Sequence, residues 1–392
     1  MRKVLFLCTL VLNMAICANN DEIDRVLASI EQNNGALKAL RKDADARIAG
    51  NREEMMPDDP EAEFAYLWGS PHEIGKRQDV NVSQAFDVPL ITGMRKKVVS
   101  RENELVELNH RWERTGLLLE AKKNCIELIY NNALRQQLNK QLLWAEQVAD
   151  LYREQYEKGN IGMPEYNNSQ LNLAEIKHEV SRVEIEQKRI LSELKRLNGG
   201  IAVELNSTQY DLHPLPADFE QWFERMEQKN PMLLYACKET ELNRYRIEVA
   251  KKANLPRFSV GYLMENVVGE RYRGITLGIS VPLWKNSQRL QQAETAAEAS
   301  EMRAANTRQE FHDAFHALYR QAKELQRLLM DYRDAVKLHN NADLLVKALD
   351  LGEISITDYL VQMKFYYNMV TKVLEVERDY ELVYAELMQG EL

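Results

Sequence analysis

From Met94 to Lys158 the chain reads MRKKVVSRENELVELNHRWERTGLLLEAKKNCIELIYNNALRQQLNKQLLWAEQVADLYREQYEK, with no proline and one glycine, Gly116. Strong helix formers fill the run. Apolar residues return at three- and four-residue steps, as at Leu105, Leu108 and Trp112 or Leu134, Leu138 and Leu142. At about 1.5 Å per residue, some 65 residues make one helix roughly 100 Å long. No ordinary globular core needs such a helix, so the run predicts a coiled-coil-like assembly. Trp284 to Leu351 holds neither proline nor glycine and predicts a second long helix over about 286–351, beside the first over about 94–158.

Each run ends at a glycine, Gly159 or Gly352, whose backbone freedom suits a tight turn. A return helix then follows, over about 164–197 in one case and about 357–388 in the other. Pro164 is tolerable there because it falls in the first helical turn. The two hairpins are copies of one another. Val88-Pro89-Leu90 recurs as Val281-Pro282-Leu283, an offset of 281 − 88 = 193. The same offset relates Gly159-Asn160-Ile161 to Gly352-Glu353-Ile354, Glu165-Tyr166 to Asp358-Tyr359, and Leu194 to Leu387. Upstream, Glu31-Gln32-Asn33-Asn34 answers Glu227-Gln228-Lys229-Asn230.

Each copy opens with a helix, about 21–51 and about 218–253. Two strand-like runs follow, about 61–69 and 80–88 in the first copy and about 257–265 and 272–281 in the second. Phe258, Val260, Tyr262 and Met264 alternate with small or polar neighbours, as do Ile275, Leu277, Ile279 and Val281. A period of two places apolar side chains on one face. At nine to eleven residues the runs fit either a half-buried soluble hairpin or tilted membrane-spanning strands. The organisation is therefore a leader over 1–18, a first repeat over 19–200, a linker over 201–217 bearing Pro214 and Pro216, and a second repeat over 218–392.

The leader carries Arg2 and Lys3, an apolar run from Val4 to Ala15, and small residues at Cys17 and Ala18, the order of a secretory signal peptide. Cys17 raises lipidation, against which stands Ile16 where a small residue is expected. Of four cysteines, Cys125 and Cys237 then remain; both are expected to be buried, small and apolar. A formal charge of −9 over 392 residues offers no basic face for nucleic acid. No stretch of about eighteen apolar residues follows the leader, so a spanning segment would have to be a β-barrel.

At this point the chain resembles the TolC family of outer-membrane efflux proteins. The resemblance covers essentially the whole mature chain. It rests on the twice-repeated order of elements, on the strand-to-helix junctions at Pro89 and Pro282, and on the turns Tyr156 to Ile161 and Leu349 to Ile354. It implies a mainly α fold with a transmembrane β-barrel contribution, in which three protomers form one twelve-stranded barrel and a helical tunnel. It further implies residence in the outer membrane with the tunnel in the periplasm. The function implied is a passive duct that exports small molecules or ions, docked to a periplasmic adaptor and an inner-membrane pump, with no cofactor and no enzymatic chemistry. The turns would be the periplasmic tips, with Glu165 and Asp358 as gate acids and Ile161 and Ile354 as adaptor contacts. Departures from the family pattern are Lys158 and Leu351 before the tip glycines, where a valine is familiar, and Val361 where a second acid sometimes stands.

The residues leave two roles open for the tip acids. Three copies of Glu165 and Asp358 would ring a mouth with negative charge. Alternatively, each carboxylate complements a helix N-terminus. His312 and His316, four apart on one helix, are the weak candidates for a metal. Rival readings are a duct for type I protein secretion, a soluble secreted coiled-coil scaffold, and a periplasmic metal-binding protein.

Overall fold

The computed structural model describes residues 18–53, 55–211, 213–252, 255–281 and 286–392. Residues 1–17 of the expected leader and the junction residue Pro282 lie outside the described residues. The chain divides into two compact units, each built from both repeats: Met1–Lys38, Glu113–Met226 and His312–Leu392 form one, Ala39–Trp112 and Glu227–Phe311 the other. In chain order the elements are α1 (Ala18–Asn33), α2 (Gly35–Glu53), β1 (Glu61–Trp68), β2 (Lys76–Phe86), α3 (Pro89–Glu157) and α4 (Met163–Leu197). The second repeat supplies α5 (Phe219–Glu227), α6 (Pro231–Lys252), β3 (Arg257–Val267), β4 (Glu270–Ser280), α7 (Asn286–Leu338), α8 (Ala342–Asp350) and α9 (Ile356–Leu387). No helix among the described residues is long and apolar enough to cross a membrane.

Three predicted helices are divided, two of them by the same device. The helix expected over 21–51 breaks at Asn34, whose side-chain oxygen accepts from Leu37 N–H at 2.9 Å and whose amide donates to the Leu197 carbonyl at 2.7 Å. The helix expected over 218–253 breaks at Asn230, which accepts from Met232 and Leu233 N–H at 2.9 and 3.2 Å, just before Pro231. Both asparagines are buried, and both act as N-caps that restart the helix. The long helix expected over 286–351 is also two, because the backbone leaves helical geometry at His339–Asn341. Asn340 there accepts from Ala342 N–H at 3.3 Å. By contrast α3 is continuous and starts at Pro89, five residues earlier than expected, with the Val88 carbonyl accepting from Ile91 and Thr92.

In the first unit, α1, α3 and α4 bury Ile30, Leu128, Ile190 and Leu194 together. Cys125 belongs to this core, whereas Cys237, in the other unit, is exposed, contrary to expectation. The linker is tied down by three phenols that donate to backbone carbonyls: Tyr210 to Ile126 (2.8 Å), Tyr319 to Pro216 (2.8 Å) and Tyr380 to His213 (2.6 Å).

The second unit contains a four-stranded antiparallel sheet in the order β1-β2-β3-β4. Strand β2 begins at Lys76, earlier than expected, because Lys76 to Asp79 are polar yet pair with Trp68 to Ala65. Cross-strand registers place Phe64, Val80 and Met264 in one row, Val82, Tyr262 and Ile275 in the next, and Phe86, Phe258 and Ile279 further along, all on one face. That face is bare: Ile275 is 77% and Leu277 79% exposed. The opposite face carries Glu63, Asn81, Ser83 and Thr276 and an ion network in which Arg77 meets Asp79 at 2.8 Å and Glu265 at 2.7 Å. A hairpin of a soluble sheet would cover its aliphatic face, and this sheet leaves that face uncovered. β3 and β4 are joined through Val268 and Gly269, with φ of +48° and +94°, the two positive values of a type I′ turn.

Candidate functional site: the paired helical tips

Both hairpin turns lie in the first unit, and they agree hydrogen bond by hydrogen bond. In the first, Lys158 N–H reaches the Glu154 carbonyl at 3.1 Å, Gly159 reaches Tyr156 at 2.9 Å and Asn160 reaches Gln155 at 2.9 Å. In the second, Leu351 reaches Lys347 at 3.0 Å, Gly352 reaches Leu349 at 3.0 Å and Glu353 reaches Ala348 at 2.9 Å. Every donor and acceptor is displaced by the offset read from the sequence. Gly159 and Gly352 take φ of +74° and +70°, and the bond spanning five residues marks a Schellman closure, which needs a left-handed residue where glycine stands.

Past the turns the two tips diverge. Helix α9 opens with a reciprocal cap: the Ser355 hydroxyl donates to Asp358 Oδ2 at 2.6 Å and accepts from Asp358 N–H at 3.1 Å. Helix α4 has Gly162 at that position, with no side chain to cap it. Glu165 therefore lacks the partner that Asp358 has, and its Oε2 accepts no hydrogen bond among the described residues. Of the two acids expected at a mouth, Asp358 is held by its own helix and Glu165 is not.

Ile161 and Ile354 are both half-buried, and Ile354 packs with Leu345, Ile356, Tyr359 and Met363. That cluster takes in Val148 and Tyr152 of α3, so the second tip rests on the first hairpin. Tyr152 also forms a backbone hydrogen bond with Ile356, and burial pushes its phenol above the usual range. Across the first tip, Tyr156 stacks on Tyr166 with ring centroids 5.0 Å apart; their counterparts at the offset, Leu349 and Tyr359, share the cluster of the second.

His312 and His316 sit away from the tips. Their rings stack at 6.2 Å, both meet Phe219 edge-on, and Glu220 lies 3.4 Å from His312. No group of three or more metal-ligating side chains occurs among the described residues. In the second unit, sequence reading missed a set of ion pairs where strands meet helix. Asp87 receives Arg95 at 2.6 Å and Arg257 at 3.0 Å, and Arg257 also pairs with Asp58. Pro89 starts α3 two residues beyond Asp87, which makes this cluster the junction the proline marks. Nothing local in the sequence signals it, since Arg257 comes from the other repeat.

No protein-family model and no curated sequence matches the chain. Solved structures do. A membrane protein from Pseudomonas aeruginosa matches at a TM-score of 0.75 and 16% identity, over 94% of this chain and 90% of that one. The CmeC outer membrane channel of Campylobacter jejuni matches at 0.72 and 15%, over 94% and 85%. The outer membrane protein VceC of Vibrio cholerae matches at 0.72 and 12%, over 94% and 96%. The chain has the fold of the TolC-type outer-membrane channels. The duplicated helical hairpins and the open four-stranded sheet are the parts of the chain that this fold comprises.

Proposed function

We propose that three copies of this chain assemble into a passive duct through an outer membrane. The observation that carries the reading is the sheet: four strands, a bare aliphatic face, a charged opposite face and two free edges. Four strands cannot close on themselves in lipid, where every unpaired backbone group costs several kcal/mol, roughly. Three copies supply twelve strands and leave no edge. The aliphatic face then meets lipid and the face with Arg77, Asp79 and Glu265 lines the lumen. The helical hairpins form the tunnel, and a periplasmic adaptor and an inner-membrane pump dock at the tips and supply energy for exporting small molecules or ions. Ile161 and Ile354 are the adaptor contacts in this scheme. Glu165, uncapped, is the acid best placed to hold the mouth, with Asp358 the weaker contributor because Ser355 already occupies it.

The test is fractionation followed by reconstitution. The protein should sediment with outer membranes, migrate as a heat-sensitive trimer, and give stepwise conductance in planar bilayers. Recovery only as a soluble monomer would overturn the reading.

A further inference from the structure

Charge is sorted across the sheet. By the strand registers, every carboxylate of β1 to β4 (Glu61, Glu63, Asp79, Glu265 and Glu270) falls on the face of Arg77. The aliphatic face carries none, yet three cations stand on it: Lys76 at the start of β2, and Arg271 and Arg273 near the start of β4. All three are exposed. The two faces treat their cations differently. Arg77 and Arg257, on the acidic face, are ion-paired, whereas Lys76, Arg271 and Arg273 pair with no carboxylate among the described residues. Register sets Gln78, Asn266 and Arg271 in one row and Val80, Met264 and Arg273 in the next, with Lys76 one row nearer the turns. Tyr66 and Trp68 flank the patch with ring centroids 6.3 Å apart, and Lys76 Nζ lies 5.8 Å from the Tyr66 ring centroid.

From this sorting we infer that Arg271, Arg273 and Lys76 form a binding patch for phosphate-bearing lipid headgroups at the outer rim of the barrel. It rests on the duct reading, in which the aliphatic face meets lipid. The patch stands at the turn end of the strands, while their other ends, at Phe86 and Arg257, lie next in the chain to α3 and α6. The turns therefore point away from the tunnel, toward the outer leaflet. Eight residues separate Ile279 from Arg271. That is about 27 Å along a strand, or about 21 Å along the membrane normal at the ~40° tilt of a barrel strand. An outward apolar band is roughly 25 Å tall, so Arg271 reaches the interface and Arg273, one row deeper, extends its guanidinium up to it. A lipid-facing cation is costly at the bilayer midplane and nearly free at the interface, where an anion can meet it. Phosphate suits a guanidinium through two parallel N–H donors. The amides of Gln78 and Asn266 add donors between the cations, and no carboxylate on this face competes. Lys76 and Arg271 stand roughly 12 Å apart by strand spacing and rise, which fits a headgroup with more than one phosphate. Ile275 and Leu277 continue the same face just below, so acyl chains find contact where a free phosphate ion would not.

The test titrates the full-length chain, purified in a neutral detergent, with cardiolipin, which carries two phosphates, and with phosphatidylcholine, whose headgroup has no net charge. Bound lipid is counted by native mass spectrometry. Wild type should hold cardiolipin roughly tenfold more tightly than phosphatidylcholine. R271Q/R273Q should lose that preference, and R271K/R273K, which keeps the charge but not the paired donors, should retain part of it. Excess inorganic phosphate should leave the preference intact; displacement of cardiolipin by it would make this a free-anion site and overturn the lipid assignment. Equal cardiolipin binding by wild type and R271Q/R273Q would also overturn it. If the double variant fails to assemble, Arg271→Gln and Lys76→Gln singly carry the same comparison. A conducting trimer with no preference for cardiolipin defeats the headgroup patch alone. A chain that forms neither trimer nor pore defeats the duct reading, and the patch with it.

Discussion

Glu381 offers a test of the packing in the first unit that needs no transport assay. The residue lies on α9, is 8% exposed, and has one carboxyl oxygen with no hydrogen-bond partner among the described residues. Burial pushes its pKa from 4.5 up to about 8; Lys122 on α3 opposes this, while Glu377 and Asp211 add to it. The folded chain therefore holds a proton that the unfolded chain releases above pH 4.5. Because the native state binds more protons in this window, stability falls as pH rises from about 4.5 to about 8 and is level beyond. The interval of 8 − 4.5 = 3.5 units corresponds to about 5 kcal/mol, of which about 3 kcal/mol is already lost at pH 7. Glu381→Gln keeps the shape and cannot ionise. Its stability should match wild type near pH 5 and exceed it by about 3 kcal/mol at pH 7, rising to about 5 kcal/mol at pH 9. Circular dichroism melts at 222 nm in detergent, run from pH 5 to pH 9, give the comparison. Carboxylates that arginines hold below their usual range, such as Glu31 beside Arg114 and Glu107 beside Arg41, act below this window. Parallel wild-type and Glu381→Gln profiles would refute the argument.

Three further outcomes are expected. Val268 is a β-branched residue at positive φ in the β3–β4 turn and 69% exposed, so Val268→Gly should stabilise the chain by about 1 kcal/mol, read as a raised melting temperature. Asn34→Ala removes a helix cap and strands the Leu197 carbonyl, and should cost about 2 kcal/mol by denaturant unfolding; Asn34→Asp, which keeps the cap acceptor but sets a buried carboxylate oxygen against the Leu197 carbonyl, should cost at least as much at neutral pH. At the tips, Glu165→Gln should raise the basal conductance of reconstituted protein more than Asp358→Asn does, and equal effects would remove the distinction drawn from the Ser355 cap.

Periodicity and repetition carried much of the architecture because both are local or self-referential. The hairpin turns needed only a glycine after a long helical run, and the offset of 193 proved to govern their hydrogen bonds as well as their letters. The broken helices were harder to read. Asn34 stands before Gly35 and Asn230 before Pro231, local signals of a helix restart that the apolar periodicity on either side passes over. The pair Asn33-Asn34 and its distant match Lys229-Asn230 were visible as a repeat but not as a cap. Lys76 to Asp79 carry no apolar alternation that would mark a strand, yet they pair with Trp68 to Ala65, and Arg77 and Asp79 lie on the polar face of the sheet. Of the two tip acids, the sequence treated Glu165 and Asp358 as equivalents; one residue, Ser355 against Gly162, separates them.

In the trimer proposed above, the two free edges of the sheet would also govern how the duct comes into being. Joining a second copy to the first pairs one edge from each and still leaves two bare, so a dimer offers lipid the same number of unpaired strands as a monomer. Only the third copy removes both at once. Insertion and trimerisation would then be a single event with a steep dependence on concentration, and the lone chain, with its aliphatic face bare, would have to be shielded from its own kind until two companions arrive.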